Sequence, residues 1–268
     1  DDKVVDDDAI DMKTHAYTLH RRPSQEELNA QFIKIYYARF LVSENGNVTK
    51  AAKRCHDTFQ WRRAEHADQA LKQAYPYFWA TKCFVPHCFH GRDKEGRLVL
   101  YQRPGAMDLN MLTSIGMTMP MFVKHYIFME EYLAKFLYIK NDDAILKVID
   151  LQGLKSGDLT KEFRSILKTS LKMGTHYPGR TFKVIFINKP MWASVLFSFI
   201  KSILSSQEQK KILSYAPKNS LSGMLEYIKE SEIPKEMGGK SEVTLGNDGQ
   251  EIKLYEYVNT LSEEYQSE

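Results

Sequence analysis

Two apolar, β-branched runs with an amphipathic stretch between them constrain the fold of this chain more than any other feature. Residues 145–150 (ILKVID) and 181–187 (TFKVIFI) are typical of buried strands, and residues 158–173 between them carry apolar side chains at helical spacing. A strand, a helix and a second strand at this spacing predict a βαβ unit with parallel strands and a right-handed crossover. The centre of the chain is therefore predicted to be α/β.

Shorter patterns extend this unit in both directions. A further strand is predicted at residues 97–101, after a turn-like RDKEG, and a late strand at residues 252–257. Helices are predicted at residues 191–204 and near residues 221–229. The α/β pattern thus continues on both sides of the central unit.

The first quarter of the chain is predicted to be helical. Ser24 and Glu27 have the S-x-x-E spacing of a capping box, which predicts the start of a helix with an apolar face. The Asn-Gly pair at residues 45–46 ends that helix, and a second is predicted to run from residue 48 to about residue 74.

Length, composition and charge narrow the class of protein. The chain has 268 residues, of which 43% are hydrophobic and 26% charged, so it can bury a sizeable core. Tyr75 precedes Pro76 and is pushed out of the helical region, so we place a boundary there between an N-terminal region, residues 1–75, and an α/β domain, residues 76–268. The 37 basic and 34 acidic residues nearly balance, which does not indicate nucleic-acid binding.

The sequence predicts neither a membrane span nor a secretory signal. No stretch approaches 18 uncharged apolar residues, and the most apolar candidate, residues 117–139, is interrupted by charged side chains and predicts a buried amphipathic helix. The acidic residues 1–8 lack the basic and apolar regions of a signal peptide. Three cysteines are too sparse for a disulfide framework. We expect a cytoplasmic protein whose membrane contact is peripheral.

Two clusters contain residue types that bind nucleotides or metals. For both, a structural role is a better interpretation than ligand binding. The GGKS of residues 238–241 resembles part of a nucleotide loop, but Pro234 replaces the glycine that the full spacing requires, so a turn that closes a helix is predicted. Two cysteines and two histidines within residues 83–90 are zinc-type ligands, yet their spacing fits no common finger or ribbon. We interpret them as ordinary strand and turn residues and predict no cofactor and no metal.

No catalytic constellation emerges from the sequence. The G-x-S-x-G elbow of hydrolases is missing. Asp150 ends an apolar strand, at the place where open α/β sheets bind ligands, so a catalytic role is one interpretation. The other is that Asp150 caps the loop to Gly153 by side-chain hydrogen bonds, which turn chemistry favours. An enzyme is not predicted.

The helix predicted at residues 191–204 is apolar on more than one face. One stripe consists of Trp192, Leu196, Phe199 and Ile203, and the sides are occupied by Val195, Phe197, Ile200 and Leu204. A surface helix needs only one such stripe. Two interpretations stay open: full burial in a core, or a helix that packs on the body with one side and meets lipid with the other.

Several short motifs occur in a fixed order along the chain. They are RFL at residues 39–41, WR at 61–62, DKEGR at 93–97, DLQG at 150–153, YPGR at 177–180, FKVIFIN at 182–188, KIL at 211–213 and IPKEMGG at 233–239. In this order they resemble the CRAL-TRIO domain family of lipid-binding proteins, of the phosphatidylinositol and phosphatidylcholine transfer type. The resemblance covers about residues 24–257.

This resemblance implies a fold and a moving part. A small N-terminal helical bundle would precede an α/β domain whose mainly parallel sheet floors a large apolar cavity. A gate helix at about residues 191–204 would close the cavity. Its cavity or membrane contacts would be Trp192, Leu196, Phe197, Phe199 and Ile200. Gly238 and Gly239 would belong to the segment that braces the gate.

The resemblance also indicates where a lipid headgroup would lie. Arg180 and Lys211 match residues that hold inositol phosphate in the family. The family's glutamate beside that arginine is Gly179 here, and Glu44 stands where a basic residue is expected, so the phosphoinositide motif is incomplete. Phosphatidylinositol is the leading candidate among several ligands, which include another phospholipid, a sterol and an isoprenoid.

The expected function is lipid transfer without catalysis. The protein would extract a phospholipid from a membrane into its cavity and exchange it between bilayers. Its partners would be that lipid and, transiently, a membrane surface. The alternative is a lipid-sensing module that binds a hydrophobic ligand and signals to a partner enzyme, and slow lipid exchange would favour it.

Overall fold

The computed structural model describes residues 34, 36–73, 75–137 and 144–267, with side chains described up to residue 262. The predicted capping box at Ser24 and Glu27 lies outside these residues. Its helix is represented by residues 36–43, which are helical and are called α1. The domain boundary at residue 75 stays a prediction.

The described residues contain one five-stranded sheet. Its strands are β1 (His87–Arg92), β2 (Leu98–Gln102), β3 (Ile145–Asp150), β4 (Thr181–Ile187) and β5 (Ile212–Ser214). They lie side by side in chain order, with β1 antiparallel to β2 and the other neighbours parallel. The predicted mainly parallel α/β sheet is confirmed.

Helices cover this sheet and precede it. After α1 come α2 (Val48–Ala64), α3 (Phe78–Phe84), α4 (Leu109–Ser114), α5 (Met119–Tyr132), α6 (Lys161–Gly174), α7 (Ser194–Ile203), α8 (Ser206–Gln209), α9 (Ser220–Leu225) and α10 (Gly249–Ser267). The chain from β3 through α6 to β4 is the predicted βαβ unit. Thr160 caps α6 by accepting a hydrogen bond from the Phe163 amide at 3.2 Å.

The predicted strand at residues 252–257 is wrong, because these residues belong to α10. Their apolar residues alternate as in a strand, but Ile252 is 43% exposed while Leu254, Val258 and Leu261 are buried. Those three are spaced by four and three residues, which is the period of a helix face. Val258 and Leu261, which share a helix face with Leu254, lie beyond residues 252–257, where the alternation is seen.

The second predicted helix is shorter than expected. It ends at Ala64 and not near residue 74. His66 has a left-handed backbone, with φ of 54°, and the chain then forms a 3-10 turn at Ala67–Lys72. A left-handed residue cannot continue a right-handed helix, and neither glycine nor proline marks this break in the sequence.

The two faces of the sheet are covered in different ways. Ile185 and Ile187 of β4 pack with Met224, Ile228 and Ile233 in a closed cluster. The residues that alternate with them, Val184 and Phe186, face α6 and α7. Since strand residues alternate between faces, one side of the sheet is dense core and the other borders the space under α5, α6 and α7.

A buried ion pair attaches α10 to the start of the sheet. Lys82 of α3 pairs with Glu251 of α10, and both side chains are almost fully buried. Glu251 also accepts a hydrogen bond from the Phe89 amide at 2.9 Å, and Lys82 donates to the His87 carbonyl at 2.6 Å. Burial lowers the pKa of Lys82, and the charge of Glu251 opposes that change. The pair therefore holds α3, β1 and α10 together.

Glu251→Ala should lower the free energy of unfolding by about 3–5 kcal/mol, because it leaves the Lys82 charge buried without a partner. Urea denaturation followed by circular dichroism measures this. Glu256→Ala, at an exposed position of the same helix, is the matched control and should change stability by less than about 0.5 kcal/mol. Equal effects of the two substitutions would contradict the prediction.

Candidate functional site

A cavity of about 860 Å³ lies between the sheet and helices α5, α6 and α7. Its floor includes Leu100, Ile149, Val184, Phe186 and Ile212, and its walls include Met129, Leu133, Phe163, Leu167, Leu171, Leu196 and Ile200. A cavity that is lined mainly by apolar side chains is poorly hydrated, because water finds few hydrogen-bond partners there. The cavity is suited to a large apolar ligand.

Helix α7 forms one wall of this cavity, at the position predicted for the gate. Leu196 and Ile200 are buried and line the cavity, while Phe197 meets the ring of Phe186 edge-on at 4.9 Å between centroids. Trp192 is half-buried against the apolar group that includes Phe186, Leu196 and Ile200. Phe199 is half-buried on the flank of the helix.

The outer side of this segment is exposed and apolar. Met191, in the 3-10 turn that precedes α7, is fully exposed, and Val195 is 58% exposed. Lys189 and Lys201 lie at the two ends of the segment. Full burial of residues 191–204 in a core is therefore wrong: one side packs on the body, and Met191 and Val195 on the other side are exposed in the described part of the chain.

Cationic side chains surround the cavity near the start of β4. Lys211 lines the cavity, and its ammonium donates to the Thr181 carbonyl at 2.7 Å. Partial burial lowers the pKa of Lys211. Arg39 of α1 also lines the cavity, and a Cβ atom added to Gly179 would lie 3.4 Å from its Nη1. The guanidinium thus lies beside the position where the family has a glutamate.

Glu44 does not present a free negative charge at this rim. It forms an ion pair with Arg54, which lines the cavity and also donates to the Thr175 carbonyl at 2.8 Å. The negative charge of Glu44, which the resemblance would place near a phosphate, is thus neutralised by Arg54.

Arg180 is not among the described residues that line the cavity, although its neighbours Gly179 and Thr181 are. Its charge acts on Tyr36 of α1, whose pKa burial raises to about 12 although Arg62 and Arg180 oppose the rise. A headgroup role for Arg180 stays a prediction. Arg39, which was not predicted from the sequence as a headgroup residue, lines the cavity. The RFL motif at residues 39–41 was the available signal.

Two neutral histidines meet in the cavity wall. The Nε2 atoms of His87 and His125 lie 3.0 Å apart, within hydrogen-bond distance. His87 Nδ1 lies 2.6 Å from the Val85 carbonyl oxygen. That oxygen can only accept, so His87 carries its proton on Nδ1 and accepts from His125. Burial, with the charge of Lys82, lowers the pKa of His87 to about 3 and that of His125 well below its usual range.

The remaining sequence candidates have structural contacts. Asp150 accepts hydrogen bonds from the Gln152 amide at 2.9 Å and from the Asn188 side chain at 2.8 Å, so its predicted loop-capping role is confirmed. Gly238, with φ of 87°, ends a 3-10 turn, as expected of a turn that closes a helix. Its nearest side chain is Leu221, on the sheet face away from the cavity, and gate bracing by Gly238 and Gly239 stays a prediction.

The histidines and cysteines of residues 83–90 are strand and helix residues. His87, Cys88 and His90 lie in β1, and Cys83 lies in α3. In the part of the chain that the structure describes, no three His, Cys, Asp or Glu side chains are grouped as a metal site would require. Within the same residues, no helix has the length and apolar character to cross a membrane.

The fold and the cavity define a class of α/β proteins with a large apolar cavity behind a helix. Residues 85–239 match the model of the CRAL/TRIO domain family, and the chain belongs to that family. It aligns with the crystal structure of Sfh5 at a TM-score of 0.63 and 17% identity, over 87% of this chain and 85% of that one, which shows a shared fold.

Curated relatives extend this similarity to named proteins. The phosphatidylinositol/phosphatidylcholine transfer protein SFH12 of Arabidopsis thaliana is 27% identical over 75% of this chain and 38% of its own length. Protein real-time of Drosophila pseudoobscura pseudoobscura is 25% identical over 84% of this chain and 35% of its own length. The chain thus spans little more than a third of the length of each of these two relatives.

The stability of the protein should fall in acid because of the buried histidines. Their pKa values are lowered in the folded chain, so between about pH 6.5 and pH 4 the unfolded chain binds protons that the folded chain does not. Stability present above pH 6.5 is lost progressively through this window, by about 1.4 kcal/mol per pH unit for each such histidine.

His125→Phe should flatten this dependence between pH 4.5 and 5.5 by about 1.4 kcal/mol per pH unit, since one proton-binding group is removed and ring packing on Phe78 is kept. Urea denaturation at a series of pH values measures the slope. His56→Gln, at an exposed position of α2, is the control that should keep the slope. An unchanged slope for His125→Phe would contradict the assignment.

Proposed function

We propose that this protein binds one phospholipid in the cavity and carries it between membranes without a catalytic step, with phosphatidylinositol as the leading candidate. The observation that carries the proposal is the apolar cavity of about 860 Å³ that α7 closes on one side. The named activity of the transfer proteins among its relatives supports it. The protein would act in the cytoplasm and at membrane surfaces.

The energetics of lipid transfer explain why such a cavity is useful. A lipid with two chains of about 16 carbons hides on the order of 25 kcal/mol of apolar surface, at roughly 0.8 kcal/mol per methylene. Exchange through water is therefore slow. A protein accelerates it by offering an equally dry environment while it touches the bilayer, so that the chains never cross water.

The headgroup phosphate is proposed to lie at the cationic rim. Lys211 and Arg39 both line the cavity there, and ammonium and guanidinium groups are the usual partners of phosphate oxygens. In this proposal Arg39 contacts the phosphate together with Lys211, beside Gly179, which precedes Arg180 in the chain. Two nearby cations favour an anionic phospholipid over a neutral ligand such as a sterol.

Mass spectrometry tests the proposal directly. The protein is incubated with mixed phospholipid vesicles, re-isolated and measured under native conditions, and we expect one phospholipid per chain. Transfer to acceptor vesicles is then followed with a fluorescent phosphatidylinositol. A chain that takes up no lipid contradicts the proposal, and one that binds lipid but exchanges it slowly supports the lipid-sensing alternative.

Lys211→Met should weaken phospholipid binding by about tenfold, because it removes a charge-assisted hydrogen bond worth roughly 1.5 kcal/mol. Stability should change by less than about 1 kcal/mol. Lys210→Met, at the exposed neighbouring position, is the control. Lipid binding that is equal in the two variants would remove Lys211 from the headgroup site and favour a neutral ligand.

Val195→Asp should slow transfer between vesicles by about fivefold while leaving the lipid content at equilibrium unchanged. The substitution removes on the order of 1 kcal/mol of apolar contact with the bilayer and leaves the cavity-facing side of α7 intact. Val48→Asp is matched in residue type and in exposure, at 63% against 58%, and lies on α2. Equal transfer rates for the two variants would place the membrane contact elsewhere.

A further inference from the structure

A charged pair lies where the apolar floor of the cavity meets the wall formed by α5. Lys147, in the middle of β3, and Glu130, on α5, both line the cavity. Lys147 is paired across the sheet with Leu100 of β2 and Val184 of β4, so its surroundings on the floor are apolar. Taking two charges out of water is costly, and such a pair is poor evidence of a stabilising role.

The hydrogen bonds of this pair are incomplete within the described residues. Lys147 Nζ lies 3.8 Å from Glu130 Oε1, which is longer than a hydrogen bond. Glu130 is 6% exposed, and its Oε2 atom has no hydrogen-bond partner among the residues described. The site therefore offers the ammonium protons of Lys147 on one side and a carboxylate oxygen of Glu130 on the other. A single hydroxyl group could bridge the gap between them.

We propose that Lys147 and Glu130 select a phospholipid with a polyhydroxylated headgroup, such as inositol or glycerol, and reject choline. A hydroxyl accepts from Lys147 and donates to Glu130 at the same time, so it fills both needs. This inference rests on the proposed function and names the headgroup class. It also gives the cavity the carboxylate that is lost at Gly179.

Choline and ethanolamine leave one or both of these side chains without a hydrogen-bond partner. The trimethylammonium of choline has no N–H to donate to Glu130 and no lone pair for Lys147. The ammonium of ethanolamine can donate to Glu130, but the cation of Lys147 repels it. A quaternary ammonium is commonly held on an aromatic face, and the face of Tyr126 beside this site has Lys147 Nζ 6.0 Å from its centroid.

The position of the pair suits a headgroup whose phosphate lies at the rim. Val184 is paired with Lys147 and donates to the Lys211 carbonyl at 3.0 Å, so the two lysines lie two strands apart. Two strand spacings amount to about 10 Å. A phosphate at Lys211 and a polyol directed along the floor toward Glu130 span a distance of that order.

Competition between headgroups with the same acyl chains tests the inference. The protein is incubated with vesicles of equal parts phosphatidylcholine, phosphatidylethanolamine, phosphatidylserine, phosphatidylglycerol and phosphatidylinositol, and its bound lipids are measured by mass spectrometry. We expect phosphatidylinositol and phosphatidylglycerol to exceed phosphatidylcholine about tenfold, as loss of paired hydrogen bonds implies. Phosphatidylserine separates hydroxyl recognition from charge, because it is anionic and has no polyol. Its enrichment to the level of phosphatidylinositol would overturn the inference.

The double variant Lys147→Met/Glu130→Leu should bind lipid and lose this preference, since replacement of a buried ion pair by apolar residues is commonly tolerated. Lys183→Met, on the neighbouring strand and outside the cavity lining, should keep it. If the double variant does not fold, Glu130→Gln tests the same loss of the carboxylate. A preference retained in the folded variant refutes the role of the pair. Absence of every lipid from the unmodified protein refutes the proposed function itself, and the inference with it.

Discussion

The bidentate ion pair between Arg62 and Glu131 determines how the N-terminal helices close one end of the cavity. Arg62 of α2 contacts both oxygens of Glu131 on α5, at 2.7 and 3.1 Å, and Tyr177 donates to the same carboxylate at 2.9 Å. Burial alone would lower the pKa of Arg62, but its hydrogen bonds to Glu131 raise it, so the guanidinium keeps its charge. This buried contact joins two helices and the loop before β4. Arg62 also donates to the Tyr36 hydroxyl at 3.4 Å and so contacts α1, the helix that carries Arg39.

The sheet adds a second constraint, because its two faces are filled differently. The face of Ile185 and Ile187 is packed as a closed core, so the strands are held in register without help from the other side. Helix α7 contributes two buried side chains, Leu196 and Ile200, and the half-buried Phe197 to the opposite face. The core on the face of Ile185 and Ile187 does not depend on these contacts, so it would remain intact if this wall separated from the body.

The sequence predicted those parts whose signals are local. The βαβ unit, the helix at residues 191–204 and the loop cap at Asp150 follow from short patterns, and the structure has each of them. Helix α10 was missed because a window of six residues shows alternation, whereas its helical face extends to Leu261. The pair of Lys147 with Glu130 could not be found in this way, because residues that are far apart in the chain meet only in the folded protein. Arg39 stands in the RFL motif, but its place beside Gly179 is a contact between distant residues and is seen only in the fold.

Affinity and selectivity in such a cavity have separate origins. The apolar wall stabilises every lipid with the same chains about equally, since burial of methylenes depends on area and not on the headgroup. Discrimination must come from the few polar groups in the wall, where low dielectric makes an unfilled hydrogen bond costly. The desolvation of Lys147 and Glu130 is incurred whether or not lipid is bound, so only a ligand that completes both sets of hydrogen bonds recovers it. In the proposed function two residues would therefore decide which lipid is carried, while the many residues of the wall would decide only that a lipid is carried.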